Sequence, residues 1–437
     1  MKAKRALLYA GLPATLAVAT ALAVFHVRST TVEPPSAPLS HEIYIWQRHW
    51  DAGLTESVHR AAPQVSQFTV LAAEVSWTGS SPSVVRVPVD WQVLRDAGKP
   101  VGIALRVGSF RGPFDRESDE ARGLAALAGS LIAQARSGGV EPAELQVDFD
   151  CPESKLDGYR EWAMSLRSAV RPVPLTLTVL PCWLKHAEFS RLVRAADGFV
   201  LQVHSLERPA SFDRSMCLCD TDRARRWALD AAKFGVPFRV ALPTCGYLVA
   251  FTPDDRFVGI SAEGPAPAWP ADTRIRAVRS DPGTLAGLVE TWRLERPVML
   301  RAITWYRLPV DGDRLNWSWT TLSTVMSGRV PRESLDVEVA WPEPNLAEIV
   351  LVNSGQADVA AARGVRVEWK KPDLLAADGL RGFSVSGKDE RTALLTRSAD
   401  EGLSLLAPGD RWKIGWLRFK TAAEVRACVT STQPQHR

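Results

Sequence analysis

From His41 to about Trp305 the chain alternates between short apolar runs and stretches with helical spacing. The runs are 42–46, 68–75, 101–107, 144–149, 174–180, 198–204, 237–242 and 298–304. Each is rich in Val, Leu and Ile, and most are bounded by Gly or Pro, as expected of strands buried on both faces of a parallel sheet. Between them, Leu124, Leu127 and Leu131 repeat at helical spacing and stop at Gly138-Gly139. Leu156, Tyr159, Trp162 and Leu166 form a second such face, and Phe189, Leu192 and Val193 a third. Trp227 and Ala231 precede Gly235, and Leu285, Leu288 and Trp292 precede the last run.

Alternating β and α patterns mean a parallel sheet, closed or doubly wound. A doubly wound nucleotide binder should carry a Gly-rich turn after its first strand. Here that place is taken by Gln47-Arg48-His49-Trp50, and no G-x-G-x-x-G or P-loop occurs anywhere. Eight strands without a phosphate loop predict an α/β fold, a (β/α)8 TIM-like barrel over 41–332. The long interval 243–297 must then hold an extended loop or insertion.

After about Arg332 the pattern changes. VEVAW, AEIVLVNSG, VRVEW, RWKIGWLRF and EVRACVT are strand-like runs separated by turn signals such as Asn353-Ser354-Gly355 and Pro408-Gly409-Asp410. They predict a small immunoglobulin-like β-sandwich over 333–437.

The N-terminus changes the picture of where the protein works. Ala6 to Phe25 is an uncharged run behind Lys2, Lys4 and Arg5, which is an export signature. Ala21-Leu22-Ala23 offers a cleavage site, and the run is also long enough to span a bilayer if left uncut. Residues 1–28 are therefore expected to be a signal peptide or a membrane anchor, and 29–40 a Pro-rich linker. In both cases the body should be exported, periplasmic or anchored facing the periplasm, with any membrane contact through this segment alone. The formal charge of +4 comes from the same segment: beyond residue 28 the chain holds 49 basic and 49 acidic side chains. A neutral body argues against nucleic-acid binding, whose affinity comes mainly from neutralised phosphates.

Function in a barrel concentrates where the strands end at their C-terminal rim. Candidate binding residues there are Trp46, Glu74, Trp77, Arg106, Trp183, Tyr247, Trp305 and Tyr306; candidate catalytic residues are Asp148, Asp150, Glu153 and His204. A rim of carboxylates and large aromatics suits carbohydrate, since rings stack on sugar faces and acids transfer protons. The sharpest element is the fourth strand. Side chains alternate across a strand, so Gln146, Asp148 and Asp150 share one face. Two carboxyls this close repel each other, and one should keep its proton near neutrality, as glycosidic cleavage requires. The competing reading makes the two acids structural, bound to Arg106 or capping the next helix.

The segments LQVDFDCPESKLDGY, LPCW, FVLQVHS and ITWYRLP resemble a bacterial family known only as a domain of unknown function. They are also distantly similar to the chitinase-like glycoside hydrolases of family 18, over roughly residues 41–320. The resemblance implies a TIM barrel whose fourth strand ends in D-x-D-x-E, with the last residue as acid. By phase, Gln146, Asp148 and Asp150 take these three positions, which would make Asp150 the acid and Asp148 its partner. His204 stands at the family's strand-six tyrosine, and Trp305 at its strand-eight tryptophan, the floor of the sugar site. The chain departs in having Gln146 for the leading Asp and Asp150 for the Glu, while Glu153 is one residue out of phase. A shortened acid fits either an altered substrate geometry or a barrel that binds sugar without cutting it.

Cys151, Cys182, Cys217, Cys219 and Cys245 fall on or near the same rim. Cys217-Leu218-Cys219 lacks common zinc spacing, so no metal or other cofactor is expected. Export makes disulfides the default, and at least one is expected among these five. The reading is thus a glycoside-hydrolase-like protein acting on an envelope or extracellular polysaccharide or oligosaccharide. The alternative is a non-catalytic glycan-binding or scaffolding barrel of the cell envelope.

Overall fold

The computed structural model describes residues 32–33, 38–78, 81–207, 209–262, 268–371, 373–389, 391–397 and 405–430. The expected leader, 1–28, and most of the linker lie outside the described residues.

Eight parallel strands form the barrel: β1 (Ser40–Ile45), β2 (Gln67–Thr78), β3 (Val101–Val107), β4 (Pro142–Phe149), β5 (Leu175–Val179), β6 (Gly198–Gln202), β7 (Phe238–Pro243) and β8 (Leu300–Tyr306). Neighbours in sequence are neighbours in the sheet, and β1 pairs with both β8 and β2, so the sheet closes on itself. A helix follows each strand: α1 (Ala52–Ala61), α2 (Trp91–Asp96), α3 (Asp119–Ser137), α4 (Leu156–Val170), α5 (Ala187–Arg194), α6 (Thr221–Ala232), α7 (Pro282–Leu294) and α8 (Trp319–Met326). Six of them begin at a short polar residue (Asp51, Asp90, Ser118, Asp220, Asp281 and Ser318) whose side chain accepts from the backbone N–H three residues on. Each such cap stabilises by about 1 kcal/mol and sets where a loop becomes a helix. The apolar spacings seen in the sequence become the inner faces: Leu124, Leu127 and Leu131 of α3, and Leu156, Tyr159, Trp162 and Leu166 of α4, are all buried.

The barrel interior is polar at its floor. Arg239 of β7 bridges Glu42 of β1 (2.8 Å) and Glu144 of β4 (2.7 Å), and Gln67 of β2 donates to Glu144 at 2.8 Å. Thr176 of β5 also donates to Glu144. Gly102 leaves the room for this plug, because a Cβ there would stand 2.9 Å from Thr69 Oγ1 and 3.0 Å from Glu144 Oε1. One cation between two buried carboxylates leaves an excess negative charge. Burial pushes the Glu42 carboxyl up, while Arg239 holds Glu144 down despite its burial.

Within the barrel region two features were not legible as strands. β2 runs past the barrel and turns into an antiparallel partner, Ser81–Arg86. The interval after β7 holds a three-stranded antiparallel sheet, 246–251, 257–261 and 274–279, packed through Val249, Phe251 and Val278 on Phe212 and Leu218. This sheet fills the insertion that the sequence required and walls one side of the barrel mouth.

Beyond α8 two four-stranded antiparallel sheets form a β-sandwich. One holds β9 (Leu335–Glu343), β10 (Leu346–Asn353), β15 (Arg411–Phe419) and β12 (Leu374–Gly379). The other holds β13 (Phe383–Asp389), β14 (Thr392–Arg397), β11 (Gly364–Trp369) and β16 (Val425–Val429). Their inner faces share a core including Ile349, Leu351, Val365, Leu395, Leu417 and Phe419. Asp358 joins this unit to the barrel by accepting from Ser318 N (2.8 Å) and Thr321 Oγ1 (2.8 Å) at the start of α8.

Candidate functional site

Above the floor, the inward residues of each strand stack toward the C-terminal rim. They enclose a cavity of about 150 Å3 lined by Tyr44, Trp46, Arg106, Asp148, Asp150, Thr178, Gln202, His204, Ala241, Tyr247 and Tyr306. Seven of the twelve residues singled out in the sequence therefore meet here.

Strand β4 supplies the acids. Gln146 is buried and donates through Nε2 to Thr178 Oγ1 (2.9 Å) and to the Tyr44 hydroxyl. Thr178 in turn hydrogen-bonds Asp148. Asp148 is half-buried, and burial, reinforced by the Asp150 charge, raises its pKa to about 6. Arg106 and the Thr178 hydroxyl oppose that rise. Asp150 stands at the exposed mouth, and burial of its carboxyl also pushes it up, against the pull of Arg106. The two share the face that strand alternation assigned them. The larger driver is desolvation, with the neighbouring carboxylate second.

Arg106 comes from β3, and its Nη1 lies 3.7 Å from Glu74 Oε2. Glu74 does not line the cavity, since Arg48 takes its carboxylate from outside (Nε–Oε1 2.6 Å). It faces inward at all because the pairing of β2 with β3 slips one residue between Leu71 and Ala73. The slip reverses the alternation beyond it.

Aromatic rings form the rest of the wall. Trp46 packs edge-on against Tyr44 (5.3 Å) and Tyr306 (5.6 Å). Tyr306 stacks on His204 with centroids 5.4 Å apart and planes 24° from parallel. His204 is buried, and burial lowers its pKa to about 4, so the ring is neutral through the physiological range.

Four other candidates stand elsewhere. Trp305 is fully buried on the outer face of β8, where Nε1 donates to His41 Nδ1 at 3.1 Å, so Tyr306 holds the cavity-facing position. The expected sugar floor was one residue out of phase, because Thr304 and Tyr306 are the inward residues of β8. Trp183 is fully buried against Tyr159. Trp77 packs on Phe110 (4.8 Å) and Trp162 (5.9 Å) beneath the β2 hairpin. Glu153 lies on the turn after β4, 2.6 Å from His186 and 2.8 Å from Lys185. These partners pull its pKa down to about 2, which leaves no proton to donate.

Tyr44, Thr178, Gln202 and Ala241 line the cavity without having been singled out. Period-two counting back from the rim would have found Tyr44 and Gln202, which stand two residues before Trp46 and His204. The expected disulfide is absent: all six cysteines are free. Cys151 is buried beside β4, whereas Cys182 sits on an exposed turn and hydrogen-bonds Glu153. Among the described residues, no three His, Cys, Asp or Glu side chains gather as a metal site would need.

Solved structures align with about two thirds of the chain at low identity. The spore cortex-lytic enzyme SleL of Bacillus megaterium QM B1551 aligns at a TM-score of 0.46 and 10% identity, over 64% of this chain and 73% of that one. A chitinase from Chromobacterium violaceum ATCC 12472 gives 0.44 and 14%, over 66% and 98%. The GH18 chitinase ChiB of Flavobacterium johnsoniae gives 0.45 and 12%, over 67% and 94%. These likenesses concern the fold and assign no chemistry. No curated protein matches the chain. Residues 104–311 match Domain of unknown function (DUF3142), and residues 338–420 match a second, Domain of unknown function (DUF8456).

Proposed function

We propose that the barrel is a glycoside hydrolase acting on an extracellular or envelope polysaccharide, in a chain exported through residues 1–28. One observation carries the reading: two carboxyls, Asp148 and Asp150, share an aromatic-walled cavity, and burial plus mutual repulsion raise Asp148 to about 6. Glycosidic cleavage needs a proton on one carboxyl and a charge beside it. Such a pair supplies both near neutrality and titrates as a unit. In this reading Asp150, at the exposed mouth, delivers the proton to the leaving oxygen. Asp148, deeper and tied to Thr178, carries the balancing charge or proton. Tyr306, Trp46 and Tyr247 hold the sugar ring.

The other reading, a barrel that binds glycan without cutting it, draws on the same aromatic walls and on the neutral Gln146 where a third carboxylate would be expected. Reducing-end release by the full chain on a broad panel of poly- and oligosaccharides separates the two. Turnover that collapses in Asp150→Asn supports hydrolysis. Saturable binding without release, abolished by Tyr306→Ala, replaces it with the binding reading.

A further inference from the structure

Hydrolysis by the two aspartates leaves Ser205 unexplained. It follows His204 directly and holds φ at 60°, a left-handed backbone that serine seldom adopts. Its N–H donates to Leu218 O at 2.8 Å, and the turn brings its hydroxyl back to the imidazole it follows. Ser205 Oγ lies 2.9 Å from His204 Nδ1 and 2.5 Å from the hydroxyl of Tyr247, a cavity residue from the inserted sheet.

We propose that Tyr247 and Ser205 form a hydroxyl relay that fixes His204 as its Nε2–H tautomer, making it a neutral hydrogen-bond donor to a substrate oxygen in the cavity. This rests on the reading of the cavity as a sugar site. The direction follows from proton affinities. A phenol is a stronger acid than an alcohol, so Tyr247 donates to Ser205, whose one hydrogen is then left for Nδ1. A ring that accepts at Nδ1 carries its proton on Nε2. The stack on Tyr306 holds the ring plane. Nε2 has no partner among the described residues, and the ring lines the cavity. The site thus presents a donor that does not titrate alongside the acids Asp148 and Asp150. It suits an oxygen acceptor, such as a ring hydroxyl or an amide carbonyl, and penalises a ligand that offers a donor there. His204 would touch substrate, whereas Ser205 and Tyr247 are positioning residues.

The test needs no turnover, so its failure is distinct from failure of the hydrolase reading. Long-range proton–nitrogen correlation spectra of the nitrogen-15-labelled full chain at neutral pH report the tautomer directly. A pyrrole-type Nε2 and a pyridine-type Nδ1 are expected. Ser205→Gly removes the hydroxyl while relieving the left-handed backbone, so its unfolding midpoint should not fall. Its His204 should nevertheless lose the single tautomer and show mixed nitrogen shifts. Tyr247→Phe should give a smaller change of the same kind. A proton on Nδ1 in the wild type, or a His204 spectrum unchanged in Ser205→Gly, would overturn the proposal.

Discussion

Trp305 Nε1 donates to His41 Nδ1 at 3.1 Å, on the side of β8 that faces the helices and away from the cavity. The indole is fully buried, with Trp317 6.4 Å away. Trp305→Ala is therefore a core truncation and should cost roughly 3–5 kcal/mol in denaturant unfolding. Tyr306→Ala, one residue on, should cost less stability and weaken glycan binding instead. Equal losses of affinity in the two variants, with unchanged stability, would refute this assignment of faces.

Asp148 should trade stability for chemistry. Its folded pKa of about 6 lies above the 3.8 of an unperturbed aspartate, so the folded state holds a proton that the unfolded chain has released. That contribution is fully present below about pH 4 and is lost as pH rises through 6. The full difference is roughly 3 kcal/mol. Asp148→Asn should match the wild type at pH 4 and exceed it above pH 6, read as unfolding free energy against pH. A constant difference across that range would contradict the shift.

Asp150 and Glu153 should separate cleanly. A general acid contributes roughly 10²–10⁴ in rate, so Asp150→Asn should reduce turnover by that factor while largely retaining binding. Glu153→Gln should leave turnover within about twofold, because Glu153 is already ionised and occupied by Lys185 and His186. A large loss in Glu153→Gln with Asp150→Asn active would exchange their roles.

The floor of the barrel should be intolerant of half-measures. Arg239→Ala strands Glu42 and Glu144 without their cation and should cost roughly 3–5 kcal/mol. Replacing all three by apolar residues of similar volume should restore much of that loss. The check is chemical denaturation of the single and triple variants side by side.

Thiol counting provides the fifth test. Unfolding without reductant should release six titratable thiols. In the folded protein, Cys151, Cys219 and Cys245 should be protected by burial. Cys182 is exposed, yet burial of its sulfur and the Glu153 charge raise it to about 11, so it should alkylate slowly. Fewer than six thiols on unfolding would restore the disulfide expectation.

The barrel was legible because its strands are buried on both faces, so each one reads as a short run rich in Val, Leu and Ile. The β4 acids were legible too, since a regular strand carries its phase from Gln146 to Asp150 without slippage. Phase is also where the reading failed: Trp305 and Tyr306 are adjacent, and both are large and aromatic. The local pattern at β8 therefore does not say which faces inward. Glu74 met the converse problem, because its inward turn depends on a slip at Leu71–Ala73 that apolar residues on both sides conceal. Partners from distant elements were illegible for a different reason. That Lys185 and His186 would claim Glu153, or that Arg239 would draw Glu42 and Glu144 together, is fixed by closure of the sheet rather than by spacing along the chain. In the sandwich, β12, β13 and β14 were missed because they carry more polar and small residues than the runs that were recognised.

Val32 and Glu33 pair with Pro297 and Arg296, immediately before β8 begins. The chain therefore arrives at the underside of the barrel, among the N-terminal ends of the strands, while Asp148 and Asp150 open at the opposite end. A seven-residue strand separates these ends by roughly 20 Å. A tether attached ahead of Val32 would thus meet the described chain at the end of the barrel opposite the candidate site.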